Sequence, residues 1–266
     1  MSELDDLGGV LPRATIDAWP HVAAVAPPSG VLHGGTALAG HLRHRVSRDL
    51  DVFMFDEFDP ETVAAALRER GRFAVDLRDK DTLNGVFDGA KVQFLSVKDQ
   101  HQLEAPITLA GMRVAAISDL YATKINAIAG RGELRDYFDL MRIEQDTGRP
   151  VEEGLALFMD RFGVDRTSPT LTHAVGALGY LDDLEDDPYL ASEFGNDIAG
   201  SIRAYWQKRH PQVVRSFDAA PVNEPQATSS LLRRLDAASR RAGAGKVWVP
   251  PHTRNGRRVE GYWRDR

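Results

Sequence analysis

The chain has 266 residues, of which 42% are hydrophobic and 27% charged, so it carries enough apolar material for a folded core and wholesale disorder is excluded. It contains no cysteine, which excludes disulfides, thiolate metal sites and a cysteine nucleophile. Any metal ion must therefore bind oxygen or imidazole ligands, and a hard divalent cation is the first expectation.

The sequence carries no targeting or membrane signal. The acidic N-terminal sequence has no apolar run behind basic residues. Every apolar stretch is far shorter than the roughly 20 residues of a membrane span. We expect a cytoplasmic protein with no membrane partner.

Charge is unevenly distributed along the chain. The 33 basic and 39 acidic residues give a net charge of −6, but residues 231–266 hold ten basic and three acidic residues, a charge of +7 that leaves −13 for residues 1–230. A basic end segment on an acidic body is typical of proteins that bind a polyanion, since neutralised phosphates release counterions. A solvated segment that only aids solubility fits these charges equally well.

The first hundred residues predict a mixed sheet with helices on it. Proline and glycine breaks separate short segments of alternating or helical periodicity. The predicted helices are 14–26, 37–42 and 60–70, and the predicted strands are 31–32, 49–55, 73–77, 82–87 and 91–97. Thr36 is expected to cap the second helix, and Asp88-Gly89 predicts the hairpin turn between the last two strands.

Beyond residue 115 the periodicity becomes helical. The predicted helices are 117–129, 134–145, 151–162, 171–178 and 198–209. We therefore expect three parts: an α+β core over 1–115, a mainly helical domain over 116–230, and a basic C-terminal segment over 231–266 that packs only locally.

Two carboxylates, Asp49 and Asp51, stand one residue apart on a predicted strand and therefore point to one face. Mg²⁺ prefers oxygen ligands and commonly takes one or two carboxylates together with substrate phosphates. Gly34-Gly35 precedes a predicted helix, where glycine lets backbone N–H groups approach phosphates at the positive end of the helix dipole. The order of these parts favours phosphoryl or nucleotidyl transfer, although each alone is more often a turn or a solvated edge.

Two blocks of sequence carry a family resemblance. The first is GGTAL at 34–38 followed by HRVSRDLDVF at 44–53, and the second is KINAI at 124–128, then Arg131, then RDYFDL at 135–140. Together they resemble the AbiEii/AbiGii-type nucleotidyltransferase toxins, a branch of the DNA polymerase β superfamily, over about residues 30–145. The resemblance implies an α+β nucleotidyltransferase core, a mixed sheet flanked by helices, followed by a mainly helical domain.

The resemblance also implies roles for the residues of the first block. Those it places around a nucleoside triphosphate are Gly34, Gly35 and Thr36, with Ser47 beside it, and those it makes ligands of Mg²⁺ are Asp49 and Asp51. Arg45 can also reach phosphate, although one member of a basic cluster such as Arg43 and Arg45 normally faces solvent.

In the second block, the resemblance implies that Lys124 holds a phosphate. The alternative is a side chain whose stem lies on apolar surface while its amine stays in water. Asp136 is implied to orient or deprotonate the attacking hydroxyl. Asp139, three residues on and on nearly the same helix face, is a weaker candidate that can instead pair with Arg135 or Arg142.

One position departs from the superfamily pattern, which generally has a third carboxylate on a later strand. The predicted strand 91–97 carries Gln93 at that place, and glutamine can hydrogen-bond but supplies no charge. Either Asp136 substitutes for the missing carboxylate, or the two-metal form of the mechanism is impaired, or the strand alignment is shifted.

These observations predict a nucleotidyltransferase that moves a nucleoside monophosphate from an NTP to an acceptor hydroxyl with Mg²⁺. By resemblance, it is the toxin of a toxin–antitoxin or phage-defence system, with RNA such as tRNA as acceptor and a cognate antitoxin as protein partner. Two alternatives stay open: a catalytically impaired nucleotide-binding module, of which Gln93 is the sign, and a nucleotidyltransferase that modifies a small molecule.

Overall fold

The structure, a computed structural model, describes residues 4–218 and, beyond them, the strand segments 246–249, 252–254, 257–259 and 262–265. The chain divides into two compact units, Met1–Leu120 and Tyr121–Arg266. The first contains a mixed sheet with helices and the second is mainly helical, which confirms the predicted α+β class. The boundaries at residues 115 and 230 remain predictions.

The first unit is built on one sheet. Its helices and strands are α1 (Arg13–Val25), β1 (Gly30–His33), α2 (Gly34–Leu42), β2 (Leu50–Met54), α3 (Pro60–Arg68), β3 (Phe73–Arg78), β4 (Thr82–Phe87), β5 (Ala90–Ser96), β6 (Ile107–Leu109) and β7 (Met112–Val114). The seven strands run in the order β3-β4-β5-β2-β1-β7-β6. The β2–β5 and β1–β7 pairs are parallel and the other neighbours antiparallel. The sheet is therefore mixed.

Strand β2 shows how the sequence pattern sets the two faces of the sheet. Its apolar residues Leu50, Val52 and Met54 are fully buried, whereas Asp51 and Phe53 between them are half-buried. Side chains alternate across a strand, so the apolar set lies in the core and Asp51 lies on the opposite face. Helix α1 packs on β5 and β7, and α3 packs on β3 and β4.

Of two hairpins in this sheet, the sequence predicts one and not the other. The predicted turn between β4 and β5 is confirmed, with positive φ at both Asp88 and Gly89, as a two-residue type I′ turn requires. The β6–β7 hairpin was not predicted. Its strands have three residues each, and its turn places Ala110, a residue that rarely adopts positive φ, beside Gly111.

The second unit begins within α4 (Ile117–Gly130), which spans the boundary. Its further helices are α5 (Leu134–Thr147), α6 (Val151–Phe162), α7 (Pro169–Ala177), α8 (Pro188–Phe194) and α9 (Ile198–Asp218). Trp206 of α9 is fully buried, and its indole N–H donates to the backbone carbonyl of Tyr137 on α5 at 3.1 Å. Throughout the residues that the structure covers, no helix combines the length and apolar character needed to cross a membrane.

Helix α9 is longer than its predicted range of 198–209, because it continues through Pro211. An interior proline removes a backbone hydrogen bond and costs about 3 kcal/mol. Val213, Val214 and Phe217 beyond it are all buried. Burying three apolar side chains contributes about 1.5–3 kcal/mol each, which outweighs the proline.

The C-terminal strands are β8 (Lys246–Val249), β9 (His252–Arg254), β10 (Arg257–Val259) and β11 (Tyr262–Asp265). β8 pairs with β11 and β9 pairs with β10, both antiparallel. Outside the described residues lie 219–230 of the predicted helical domain and, of the predicted basic segment, 231–245, 250–251, 255–256, 260–261 and 266.

An ion-pair network joins three helices of the second unit. The guanidinium of Arg209 on α9 donates to Glu144 on α5 at 2.8 and 2.9 Å and to Glu152 on α6 at 3.0 Å. Burial opposes the charge of Arg209, but its bonds to the two glutamates outweigh this and raise its pKa. Tyr205 also donates to Glu144. The charged group thus ties α9 to α5 and α6.

Replacing Arg209 with alanine should destabilise the protein by roughly 2–3 kcal/mol, because two partly buried carboxylates lose their cation. The matched control is Arg142→Ala, which removes an i,i+4 pair with Asp146 on α5 and should cost only about 0.3–0.5 kcal/mol. Urea denaturation of both variants measures the difference. Equal losses would show that the Arg209 network contributes no more than a surface pair.

Candidate functional site

The junction of β1 and α2 is shaped by a carboxylate packed on a glycine. Gly34, the first residue of α2, has φ +71°. A Cβ atom at this position would lie 2.2 Å from Oδ2 of Asp51, so the carboxylate occupies the space that any other residue would need. Backbone angle and space therefore both require glycine.

The next residue, Gly35, receives two other polar groups. A Cβ here would lie 2.6 Å from Nη2 of Arg45 and 2.8 Å from Oγ of Ser47. Both side chains are buried, at 7% exposure each. The guanidinium and the hydroxyl therefore lie against the first turn of α2, where the leading N–H groups of a helix have no intrahelical acceptor.

Thr36 joins this first turn to the segment that leads into β2. Its buried hydroxyl hydrogen-bonds with the hydroxyl of Ser47 at 3.0 Å and donates to the backbone carbonyl of Asp49 at 2.5 Å. The prediction that Thr36 caps α2 is wrong, because the helix begins two residues earlier and His33 is its N-cap residue. The hydroxyl instead anchors the Ser47–Asp49 segment against the helix.

Asp49 and Asp51 fit the chemistry of a divalent cation site. Asp51 lies on the face of β2 opposite the core, and Asp49 directly precedes the strand. Within the described ranges, no group of three or more His, Asp or Glu side chains is placed to hold a metal ion. Asp49 and Asp51 are the residues that could hold a divalent cation, with phosphate oxygens or water completing the oxygen shell that Mg²⁺ prefers.

The strand register decides the place of Gln93. Asp51 of β2 is the Cα partner of Gln93 on β5, and Gln93 is in turn the partner of Asn84 on β4. On the other side, Asp51 is paired with His33 of β1. Cross-strand partners share a face, so a neutral amide stands directly beside the Asp51 carboxylate. The β5 position that pairs with Asp51 is therefore occupied by Gln93 and not by a carboxylate.

A second polar cluster lies within the second unit and centres on Lys124 of α4. Its Nζ is 2.9 Å from Oδ1 of Asp136 and 2.5 Å from Oδ2 of Asp139, both on α5. The Lys124 side chain is 6% exposed and the two aspartates are fully buried. The alternative interpretation, in which the amine lies in water, is wrong. The backbone alone already brings the two carboxylates to one face of α5, as their i,i+3 spacing predicts.

Arg131 completes this cluster from the segment after α4. Its Nε donates to Oδ2 of Asp136 at 3.0 Å and its Nη2 to Oδ1 at 3.3 Å. Burial by itself would raise the pKa of Asp136, but the charges of Arg131 and Lys124 outweigh it and hold that pKa well below its ordinary value. Asp136 is therefore ionised at neutral pH. This ionised form stabilises the fold, and the contribution is lost as the pH falls towards the lowered pKa.

The low pKa bears on what Asp136 can do chemically. A general base works best when its pKa lies near the working pH, so a carboxylate of unusually low pKa accepts protons weakly. The same group still accepts a hydrogen bond well. The electrostatics therefore favour orientation of a hydroxyl over removal of its proton.

The structure places the predicted residues in two sets. Within the first unit it brings together Gly34, Gly35, Thr36, Arg45, Ser47, Asp49 and Asp51. Within the second it brings Lys124 to Asp136 and adds Arg131, to which the sequence assigned no role, and Asp139, the weaker candidate. Their only signals were the position of Arg131 between the two parts of the second block and the spacing of Asp139. The roles of all these residues in catalysis remain predictions.

No protein-family model matches the chain, and its similarity to known proteins is distant. It is 29% identical over 182 residues to aq_aa25, an uncharacterized protein of Aquifex aeolicus (strain VF5), across 66% of this chain and 81% of that protein. An H. pylori structure described as a proposed nucleotidyltransferase matches with a TM-score of 0.48 and 17% identity, covering 77% of this chain and 98% of that one. JHP933 from Helicobacter pylori matches with a TM-score of 0.46 and 17% identity, over 77% and 96%. At these similarities, the chemistry must be argued from the residues themselves.

Proposed function

We propose that the protein is a Mg²⁺-dependent nucleotidyltransferase. The acceptor hydroxyl oxygen bonds to the α-phosphorus of an NTP, the bond to pyrophosphate breaks, and the hydroxyl proton leaves to solvent. One observation carries the proposal: the Asp51 carboxylate packs on Gly34 at the start of α2, beside the guanidinium and hydroxyl that lie on Gly35. This arrangement sets a polyphosphate-binding helix start next to a cation-binding carboxylate.

Each part of this arrangement has a physical role in the proposal. The N–H groups at the start of α2 would bind phosphate oxygens, and the side chains of Thr36, Arg45 and Ser47 add two hydroxyls and a positive charge. Asp49 and Asp51 would hold Mg²⁺, which neutralises the negative charge that develops on the phosphates. Phosphoryl transfer needs mainly positioning and charge neutralisation, so these groups cover most of its requirements.

The second cluster enters the proposal through the family resemblance. Lys124 holds a phosphate, and Asp136 orients the acceptor hydroxyl by accepting its hydrogen bond. The ionised state of Asp136 supports the second role, since a carboxylate accepts a stronger hydrogen bond than a neutral group.

The proposed acceptor is RNA, with tRNA as the expected class, and the proposed biological role is that of a toxin with a cognate antitoxin. The support within this chain is the charge of +7 over residues 231–266, set against −13 on the remainder. Such a segment attracts a phosphate backbone, while the acidic body reduces indiscriminate binding.

A second candidate function is a nucleotide-binding module with impaired catalysis. The observation that favours it is Gln93, which stands beside Asp51 where a carboxylate would complete a larger cation site. Such a module would bind NTP with Mg²⁺ and transfer nothing.

The direct test supplies radiolabelled NTPs, Mg²⁺ and bulk tRNA to the intact chain and to Asp51→Asn. We expect incorporation by the intact chain and a loss of at least 100-fold in the variant, because one cation ligand is neutralised. Asp76→Asn, at an exposed position on β3, is the control and should keep full activity. NTP binding without incorporation by the intact chain would support the module, and label on a small hydroxyl compound alone would support the small-molecule enzyme.

Gly34→Ala should abolish NTP binding. The added methyl would overlap the Asp51 carboxylate, and the positive φ adds about 1–2 kcal/mol of backbone strain. Gly111→Ala is a matched control, because Gly111 also has positive φ, at +79°, but no atom within 4 Å of the added methyl. Titration with a fluorescent NTP analogue measures both. Equal affinities in the two variants would contradict a nucleotide site at Gly34.

Gln93→Glu tests the second candidate function. A third carboxylate beside Asp51 should tighten Mn²⁺ binding about tenfold or more, measured by electron paramagnetic resonance of free Mn²⁺. Gln207→Glu adds the same charge at an exposed position on α9 and should leave Mn²⁺ binding unchanged. Faster nucleotide transfer by Gln93→Glu would show that the native amide limits catalysis. Identical Mn²⁺ affinities in the two variants would contradict a cation site at Asp51.

A further inference from the structure

The buried amine of Lys124 has two carboxylate partners, Asp136 and Asp139. The distance from Nζ to Oδ2 of Asp139 is 2.5 Å, shorter than the 2.9 Å to Oδ1 of Asp136. Asp139 is fully buried. A charged carboxylate is strongly destabilising when it is excluded from water without a partner, so this contact constrains both groups.

The arginines near Asp139 in sequence are engaged elsewhere. Arg135 lies 2.5 Å from Glu133, and Arg142 lies 2.8 Å from Asp146. The expected pairing of Asp139 with one of these arginines is therefore replaced by its contact with Lys124. That contact joins α5 to α4, whereas a pair with Arg135 or Arg142 would have stayed within α5.

Two carboxylates fix the direction of an ammonium group where one would not. A lysine amine has three N–H donors on a flexible stem. Asp136 and Asp139 accept two of them, which leaves one donor in a defined direction. Ordering a free lysine side chain on binding costs conformational entropy, and here that cost is met when the protein folds.

A positioning role of Asp139 and a purely electrostatic role predict different effects when its charge is removed. Lys124 and Arg131 face the carboxylates of Asp136 and Asp139, and Glu133 lies 3.7 Å from Arg131. Neutralising Asp139 removes one negative charge beside Lys124, which by Coulomb attraction alone would strengthen the binding of an anionic nucleotide. Loss of orientation instead slows the chemical step. The two effects act in opposite directions on different kinetic constants.

We propose that Asp139 is a positioning residue that aims the Lys124 amine at a phosphate of the nucleotide. This inference rests on the proposed function of Lys124. If Asp136 were the only partner, the amine could still rotate about its Cε–Nζ bond. The second contact, with Asp139, prevents that rotation.

The test is Asp139→Asn in the full chain, with steady-state kinetics for NTP and saturating acceptor. We expect kcat to fall about 10–100-fold, because a small misplacement of a catalytic group has effects of that size, while KM for NTP stays level or falls. Asp146→Asn is the matched control, since it makes the same change in an ion pair on the same helix. A kcat within twofold of that control overturns the proposal.

Other outcomes of this experiment distinguish failure of the positioning role from failure of the proposed function. No turnover by the intact chain rejects the proposed function itself, whereas turnover with an unaffected Asp139→Asn rejects only the positioning role. A rise in KM with constant kcat likewise overturns it, because that pattern marks lost binding. Thermal denaturation checks the fold. If Asp139→Asn does not fold, Asp139→Glu keeps the charge but moves the carboxylate, and the same fall in kcat is expected.

Discussion

The candidate site depends on one close contact, in which the Asp51 carboxylate lies on the Cα atom of Gly34. This contact holds the start of α2 against β2 and leaves no room for a side chain between them. Arg45 and Ser47 repeat the arrangement at Gly35. Because two successive residues of one helical turn lack a Cβ, backbone donors, a cation, a hydroxyl and a carboxylate can lie within a few ångströms of each other. Larger residues would separate them.

In the second unit, two poorly exposed basic side chains are each neutralised by acidic partners. Arg209 and Lys124 are each held by two carboxylates, with 15% and 6% of the side chain exposed. Arg209 of α9 binds carboxylates on two other helices, α5 and α6, and so connects all three. Lys124 of α4 meets both of its partners on α5. The same pairing of one cation with two carboxylates thus connects three helices at Arg209 and two at Lys124.

Local sequence patterns predicted those elements whose signals are themselves local. The strands β3, β4 and β5, with the turn at Asp88-Gly89, follow from alternation and turn chemistry within about 25 residues. The β6–β7 hairpin and the continuation of α9 past Pro211 could not be predicted in this way. The hairpin is stabilised through pairing of β7 with the distant β1, and the end of α9 through burial of three apolar side chains. Both depend on neighbours remote in sequence.

The sequence by itself determined the chemical parts of the candidate site: the glycine pair before a helix, the aspartates at positions 49 and 51, and the second block with its lysine and aspartates. Those features depend only on residue type and on short spacings along the chain, and both are given directly by the sequence. Only the tertiary structure decided that Gln93 stands beside Asp51, that Arg45 and Ser47 lie on Gly35, and that Asp139 meets Lys124. These are contacts made by strand pairing and helix packing, and their geometry arises only when separate segments bury their apolar faces together.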